Sequence, residues 1–389
     1  MNEIIDKNNC CGCSACLNIC PVNAIVMIED EKGFKYPVVN KEKCIACGKC
    51  KSVCPILNEI KIEIEPEAYA CKNKDDKIRI KSSSGGVFSL ISKEILNKNG
   101  VVFGAAWDEN FLEVNHIDIT KEEDLEKLRG AKYLQSNINE TYRKVKKYLE
   151  DDRFVLFSGT PCQIVGLKKY LNKEYEKLIL QDIICHGVPS PLVWRKYKYF
   201  SESNNKVNNV EFRNKEVEGW NKYHVKMDFD DNTTYNVKHD DDIFMKLFLS
   251  NIVLRDSCTT CRFKTKDRIS DITLADFWGI NNVLPEMNDE KGTSLVIVNS
   301  DKGRRLFDEI ASNMEYEKVN LNDAIKYNPS YNQISSKNKN AEAFFENFEN
   351  VELDELVNKY IPKMSLCKKI INKIKRILKK TLKRILRKL

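Results

Sequence analysis

Residues 10–21 read CCGCSACLNICP and residues 44–55 read CIACGKCKSVCP. Cys10-x2-Cys13-x2-Cys16-x3-Cys20-Pro21 and Cys44-x2-Cys47-x2-Cys50-x3-Cys54-Pro55 share one spacing, 34 residues apart. Nine of the 15 cysteines fall within residues 10 to 54. In a reducing compartment such density means metal ligands far more often than disulfides. Around this stretch lies a chain of 389 residues, 42% hydrophobic, long enough for two or three domains. No run approaches the ~18 apolar residues a spanning helix needs. The start, MNEIIDKNNCC, has neither a basic n-region nor an apolar h-region, so a cytoplasmic protein is expected.

The doubled spacing is the bacterial ferredoxin pattern. Three closely spaced thiolates hold three corners of a 4Fe-4S cube, and the distant fourth cysteine ligates the other cluster. Cluster one then takes Cys10, Cys13, Cys16 and Cys54, and cluster two takes Cys44, Cys47, Cys50 and Cys20. Zinc knuckles also use C-x2-C, but eight cysteines ending twice in Cys-Pro argue against them. Cys11 is left over, as a free thiol or a packing residue. The resemblance to ferredoxins implies a short hairpin from AIVMI and KYPVV. It makes residues 1–58 a domain for one-electron transfer at low potential.

The formal net charge of +7 hides an asymmetry, because residues 363–389 carry 12 Lys+Arg and no acid, leaving 52 basic against 57 acidic residues elsewhere. Nucleic-acid binding is therefore not expected of the body. The tail, KMSLCKKIINKIKRILKKTLKRILRKL, aligns Ile370, Ile374, Ile377, Leu378, Leu382, Ile385 and Leu389 on one helical stripe. That pattern favours an anionic membrane surface, with a partner helix, a nucleic-acid arm or a coiled-coil contact as alternatives. Cys367 is expected as a free thiol.

Residues 59–67, acidic and containing Pro66, read as a linker. Beyond them apolar runs alternate with amphipathic ones. Strands are expected at 101–107, 153–158, 177–184, 210–213 and 294–299, with a hairpin around the turn at 230–232. Helices are expected at 85–99, 121–129, 139–150, 161–171, 190–202, 241–250 and 302–313. The class is α/β (α+β): a cluster domain, then a mixed-sheet body with a hairpin insertion.

Four sites in the body carry chemistry. Lys81-Ser82-Ser83-Ser84-Gly85-Gly86-Val87 is a hydroxyl- and glycine-rich turn entering a helix, suited to a phosphate or pyrophosphate, although Ser and Gly also cap ordinary helices. Ser158-Gly159-Thr160-Pro161-Cys162-Gln163 places a cysteine at a helix N-terminus, where the dipole stabilises a thiolate. Asp182-Ile183-Ile184-Cys185-His186-Gly187 again has a cysteine where a strand runs out. Cys258-x2-Cys261 is the fourth. Spacing alone leaves two readings of these four cysteines: unrelated buried thiols with a zinc half-site, or a third 4Fe-4S cluster.

The motifs S-S-S-G-G-V-F-S (82–89), S-G-T-P-C-Q-x2-G-L (158–167), C-H-G-V-P-S-P (185–191), F-R-N-K (212–215) with Gly219-Trp220, C-x2-C-x-F-K (258–264) and S-D-I-T-L-A-D-F-W-G (270–279) occur in order. Together they resemble the family of coenzyme F-420 hydrogenase/dehydrogenase beta subunits, over residues 68–350. The resemblance implies an FAD-binding iron-sulfur oxidoreductase that moves electrons between a 4Fe-4S cluster and a hydride acceptor, the deazaflavin coenzyme F-420 in the best-known members. It implies Cys162, Cys185, Cys258 and Cys261 as ligands of a third cluster. It also implies Ser82, Ser83, Ser84, Gly85, Gly86, Lys132, Tyr133, Gln135, Ser136, Gly159 and Thr160 around the flavin. His186 is the one histidine inside a motif, a candidate general acid or a structural residue. Asp271, Asp276 and Trp278 are candidates to shape the site. The fused ferredoxin domain and the basic tail depart from the shorter members and leave the acceptor open, a sugar or lipid-linked intermediate included. A redox partner protein or ferredoxin pool is expected at the clusters, and a non-enzymatic electron-transfer protein wired to another enzyme is the competing reading.

Overall fold

The computed structural model describes residues 4–60, 62–202 and 205–361. The amphipathic tail, 363–389, lies outside the described residues. Among those described, no helix is long and apolar enough to cross a membrane.

The N-terminal segment pairs β1 (Ile25–Glu29) with β2 (Lys35–Val39) as an antiparallel hairpin. The two cysteine loops flank it, each closing on a short helix, Ala15–Ile19 and Lys49–Ser52. This segment is not a bead on a string. Cys11, Cys13, Ala15 and Val53 share one core with Tyr142, Phe157, Ile164 and Leu167 of the body. Arg143 clamps the contact by donating to the carbonyls of Asn18 (2.8 Å) and Cys20 (3.1 Å).

The body holds β3 (Glu67–Asn73), β4 (Val101–Trp107), β5 (Val114–Ile119), β6 (Val155–Gly159), β7 (Leu178–Ile183), β8 (Val207–Asn214), β9 (His224–Phe229), β10 (Thr234–Lys238), β11 (Ile272–Asp276), β12 (Ser294–Val298) and β13 (Met314–Val319). Eight of them form one mixed sheet in the order β13-β3-β12-β11-β7-β6-β4-β5. The pairs β4–β6, β6–β7 and β7–β11 are parallel and the rest antiparallel. Central strands such as VLFSG and LILQDI are apolar through most of their length because both faces are covered. Helix Val87–Asn97 supplies buried Val87, Ile91 and Ile95 to one apolar core, and helix Pro161–Leu171 supplies Ile164 and Leu167 to another. The four parallel strands put their carboxyl ends at one edge, where ligands bind in open α/β sheets.

The expected hairpin insertion is larger than anticipated. VEFR extends into β8, which joins the hairpin to make a three-stranded antiparallel sheet, β10-β9-β8. Strands β3, β5, β11 and β13 were not anticipated. The segment 121–129 forms a 3-10 turn and a single helical turn, Leu125–Leu128, in place of a full helix.

Candidate functional site: three cavities in a row

Cys10, Cys13, Cys16 and Cys54 line one cavity beneath the first cysteine loop, with Cys11 beside them. Gly12 (φ +69°) and Ser14 (φ +60°) take left-handed conformations that curl the loop around it. Burial pushes the Cys16 thiol up to about 12. In the second loop Cys44 and Cys47 lie within electrostatic reach of Cys50, and Cys47 is exposed. Cys20 accepts a hydrogen bond from the Ala24 N–H at 3.2 Å. Among the described residues, no three His, Cys, Asp or Glu side chains converge as ligands of a single metal ion.

The body's cysteines come together from three places in the sequence. Cys162 follows β6, Cys185 follows β7, Cys258 lies within a 3-10 turn, Asp256–Thr260, and Cys261 caps its end. All four line a second cavity, and Cys11 lines it too. Burial raises the Cys185 thiol and lifts that of Cys258 to about 12. The expectation of a depressed thiol at Cys162 is corrected. Its hydrogen bond with Cys11, followed by burial, pushes it well up, outweighing the two-residue advance into the helix.

Arg255, 1% exposed, sits between these two cavities. Its Nε donates to the Cys10 carbonyl (2.8 Å), one Nη to Gln135 Oε1 (3.0 Å) and the other to the Lys35 carbonyl (3.0 Å). Its guanidinium also lies over the Tyr36 ring at 4.2 Å. No carboxylate among the described residues pairs with it. Against the cost of burial, Tyr36 first and then Cys10, Cys11 and Cys258 raise its pKa.

The third cavity, about 270 Å³, opens at the carboxyl ends of β4, β6, β7 and β11. Ser82, Ser83, Ser84, Gly86, Lys132, Ser136, Gly159 and Thr160 line it. Gly85 lies just behind, its N–H donating to Ser294 Oγ at 2.9 Å. Gly86 (φ +80°) turns the chain into the helix Val87–Asn97. Lys132 keeps part of its surface at the pocket, yet desolvation lowers its pKa to about 7. Its ammonium donates to the Arg129 and Gly130 carbonyls. Gln181 also lines this pocket, and its Oε1 is buried with no hydrogen-bond partner.

Two residues expected at the flavin lie elsewhere. Residues 130–136 form an irregular segment with bends at Gly130 and Leu134, and its side chains go to different places. Lys132, Leu134 and Ser136 line the pocket. Tyr133 instead packs on Phe212 and Phe248, and Gln135 reaches the cysteines, donating to the Cys11 carbonyl at 2.8 Å. His186 lines neither this third cavity nor the four-cysteine cavity. Its ring bonds Asn251 Oδ1 (2.7 Å) and stands edge-on to Phe248.

The histidine that does line the pocket, His116 on β5, was missed. Its Nε2 faces the Ser158 carbonyl at 2.8 Å, so that nitrogen carries the proton, and Nδ1 accepts from Ser136 Oγ at 2.7 Å. Burial lowers its pKa to about 4. Also missed were Arg213 and Lys215. Arg213 binds Asp276 Oδ1 at 2.8 Å and packs over Tyr223 and Trp278. Lys215 holds the Arg79, Ser84 and Lys291 carbonyls from a buried position. Asp276 accepts from both Arg213 and Trp220, and Trp220 stacks on Trp278 at 5.1 Å and 5°. Asp271 braces the sheet, accepting from the Leu180 N–H at 2.8 Å.

The cavities adjoin. Cys11 and Ile56 line both the first and the second, and Thr160 lines both the second and the third. Thr160 Oγ1 lies 3.1 Å from Cys162 Sγ.

Known proteins share these parts. Residues 9–57 match the 4Fe-4S dicluster domain, and residues 152–324 match the family described as the C terminus of the coenzyme F420 hydrogenase/dehydrogenase beta subunit. The F subunit of the F(420)H(2) dehydrogenase of Methanosarcina mazei is 29% identical over 193 residues, 46% of this chain and 53% of that protein. The coenzyme F420-dependent sulfite reductase of Methanocaldococcus jannaschii is 31% identical over 171 residues, 43% of this chain and 26% of that protein. The chain thus spans about half and about a quarter of the lengths of these relatives. A chain solved in the F420-reducing NiFe hydrogenase complex from Methanosarcina barkeri aligns with a TM-score of 0.49 at 14% identity, covering 72% of this chain and 91% of that one.

Proposed function

For a chain that joins a 4Fe-4S dicluster domain to the C-terminal domain of coenzyme F-420 hydrogenase/dehydrogenase beta subunits, we propose an FAD-dependent iron-sulfur oxidoreductase. It exchanges electrons between ferredoxin-type clusters and an organic acceptor, with the deazaflavin coenzyme F-420 as first candidate. The observation that carries this reading is the row of three cavities, joined through Cys11 and Ile56 and then through Thr160. Cys10, Cys13, Cys16 and Cys54 would hold one cluster, and Cys44, Cys47, Cys50 and Cys20 another. Cys162, Cys185, Cys258 and Cys261 would hold a third.

The third cavity fits a flavin on its own chemistry. A Cβ at Gly85 would fall 2.4 Å from the Cys71 carbonyl oxygen, so the turn comes closer to the sheet than any side chain permits. The partnerless Gln181 Oε1 offers an acceptor to a ring N–H, and Lys132 offers a cation to a ring carbonyl or phosphate. Bound flavin takes electrons singly from iron-sulfur centres and passes them in pairs to organic acceptors. The chain's own residues set the stage. Gln163 donates to Ser136, Ser136 to His116 and His116 to the Ser158 carbonyl, locking the pocket wall. His116 stays neutral and is saturated with partners, so it orients and does not shuttle protons. Residues 363–389 would hold the enzyme on an anionic membrane face, a point that vesicle co-sedimentation with and without the tail decides.

The test is titration of FAD into flavin-stripped, anaerobically prepared protein, followed by reduction with dithionite and addition of the deazaflavin. Stoichiometric binding and loss of the deazaflavin absorbance are expected. No flavin binding, with dye-coupled electron transfer intact, would leave a non-enzymatic electron carrier.

A further inference from the structure

We propose that the loop around Cys44, Cys47 and Cys50 is the port where an acidic, one-electron carrier protein docks. This rests on reading those cysteines as cluster ligands and adds the partner's chemistry. The other two cysteine groups are less open: Cys10, Cys13 and Cys54 are buried, and Cys16 and the body's four cysteines are half-buried. Cys47 alone among the described cysteines is exposed. The loop around it shows Ile45 at 61% exposure, and Leu57 nearby shows 49%. Six of the fourteen large apolar side chains exposed among the described residues fall within residues 22–57.

Charge then selects the occupant. Lys41 and Lys43 precede Cys44, Lys49 and Lys51 flank Cys50, and all four are exposed. None of their ammonium groups makes an ion pair or hydrogen bond among the described residues. Lysines on the inner side of the same segment are engaged: Lys7 with Asp30, Lys32 with Asp256 and Lys35 with Glu113. Between Asn40 and Asn58 the single acid is Glu42. Four exposed, unpaired lysines in the loop that also exposes Ile45 and Cys47, on a body that is otherwise net acidic, steer and orient a partner of opposite sign. Transient redox encounters use small interfaces of this kind. Each encounter moves one electron, lost by the carrier and gained at this port, with no proton required.

The experiment uses the full chain, purified without oxygen and with its iron measured, against a bacterial 4Fe-4S ferredoxin of net negative charge. Zero-length carbodiimide coupling followed by peptide mapping should join carrier carboxylates to Lys41, Lys43, Lys49 or Lys51. Affinity should fall at least tenfold as salt rises from about 0.05 M to about 0.3 M. Changing all four lysines to Gln should weaken binding about tenfold or more with iron content retained, and changing them to Arg should restore it. Cross-links confined to the lysines of residues 363–389, or wild-type affinity in the Gln variant, would overturn the port. Absent iron at these cysteines would instead overturn the cluster reading on which it rests.

Discussion

Replacing Gly85 by Ala should empty the third cavity of flavin while leaving the cysteine cavities intact. The added Cβ would stand 2.4 Å from the Cys71 carbonyl oxygen and 2.7 Å from the Ser294 nitrogen. Both are backbone atoms of β3 and β12, which pair at that very position, Ser294 opposite Cys71. Neither strand can yield, so the turn 82–86 must move. Moving it breaks the Gly85 N–H bond to Ser294 Oγ (2.9 Å) and the Asn73 N–H bond to the Gly85 carbonyl (2.8 Å), each worth about 1 kcal/mol. Overpacking adds about 1–3 kcal/mol, for a total of about 3–5 kcal/mol. A flavin that needs the native turn registers this cost as affinity, and at about 1.4 kcal/mol per decade even the lower figure exceeds 100-fold in Kd. Fluorescence titration of flavin-stripped protein reads the Kd directly, with iron per chain as the control. Ser294→Ala, which removes only the acceptor of the Gly85 N–H, should cost about 1 kcal/mol, roughly fivefold. Wild-type flavin affinity in Gly85→Ala would refute the assignment of this cavity.

Three further outcomes are expected. The depressed pKa of His116 means that the unfolded chain binds the extra proton first, so stability is lost as pH falls from 6.5 to about 4, by about 3 kcal/mol. His116→Gln should flatten that part of the urea midpoint against pH, and an unchanged slope would contradict the burial argument. Arg255→Met removes a buried cation beside Cys10 and Cys258, which should lower the midpoint potentials of the clusters at those two sites by about 59 mV, a tenfold change for one electron. The third midpoint should stay put and Arg255→Lys should recover the shift, all read by EPR-monitored redox titration. Lys132 gains its proton as pH falls through about 7, so flavin binding should tighten across that pH if the cation meets a phosphate or ring carbonyl. Lys132→Met should abolish the dependence, and a pH profile identical to wild type would remove Lys132 from the site.

Chemistry with a fixed spacing was legible from the sequence, whereas chemistry assembled across the sheet was not. The cysteine loops and the Ser-Gly turn are local patterns; Cys10, Cys13, Cys16 and Cys54 line one cavity and Ser82, Ser83, Ser84 and Gly86 another. Helix Pro161–Leu171 was readable to the residue because Pro161 opens it and Asn172 (φ +47°) ends it. Strand β5 escaped because VNHIDI lacks the continuous apolar run of its neighbours; it is an edge strand, polar on one side. With β5 went His116. Arg255 and Gln181 lie in no motif, and Lys215, though it ends the F-R-N-K motif, was given no role by it. Their roles arise from burial next to groups far away in sequence, as Arg255 with Cys10 shows. Tyr133 and Gln135 were misplaced because a motif names consecutive residues, while this bent loop sends Tyr133 to Phe212 and Phe248 and Gln135 to the Cys11 carbonyl.

Iron and flavin per chain, measured on protein purified without oxygen, test the central claim most directly. Three cysteine groups feeding a flavin pocket predict about 12 iron atoms and one FAD per chain, with Cys185→Ser falling to about 8 iron atoms. About 8 iron atoms and no flavin in the unaltered protein would contradict the account, leaving the dicluster domain alone as the redox-active part.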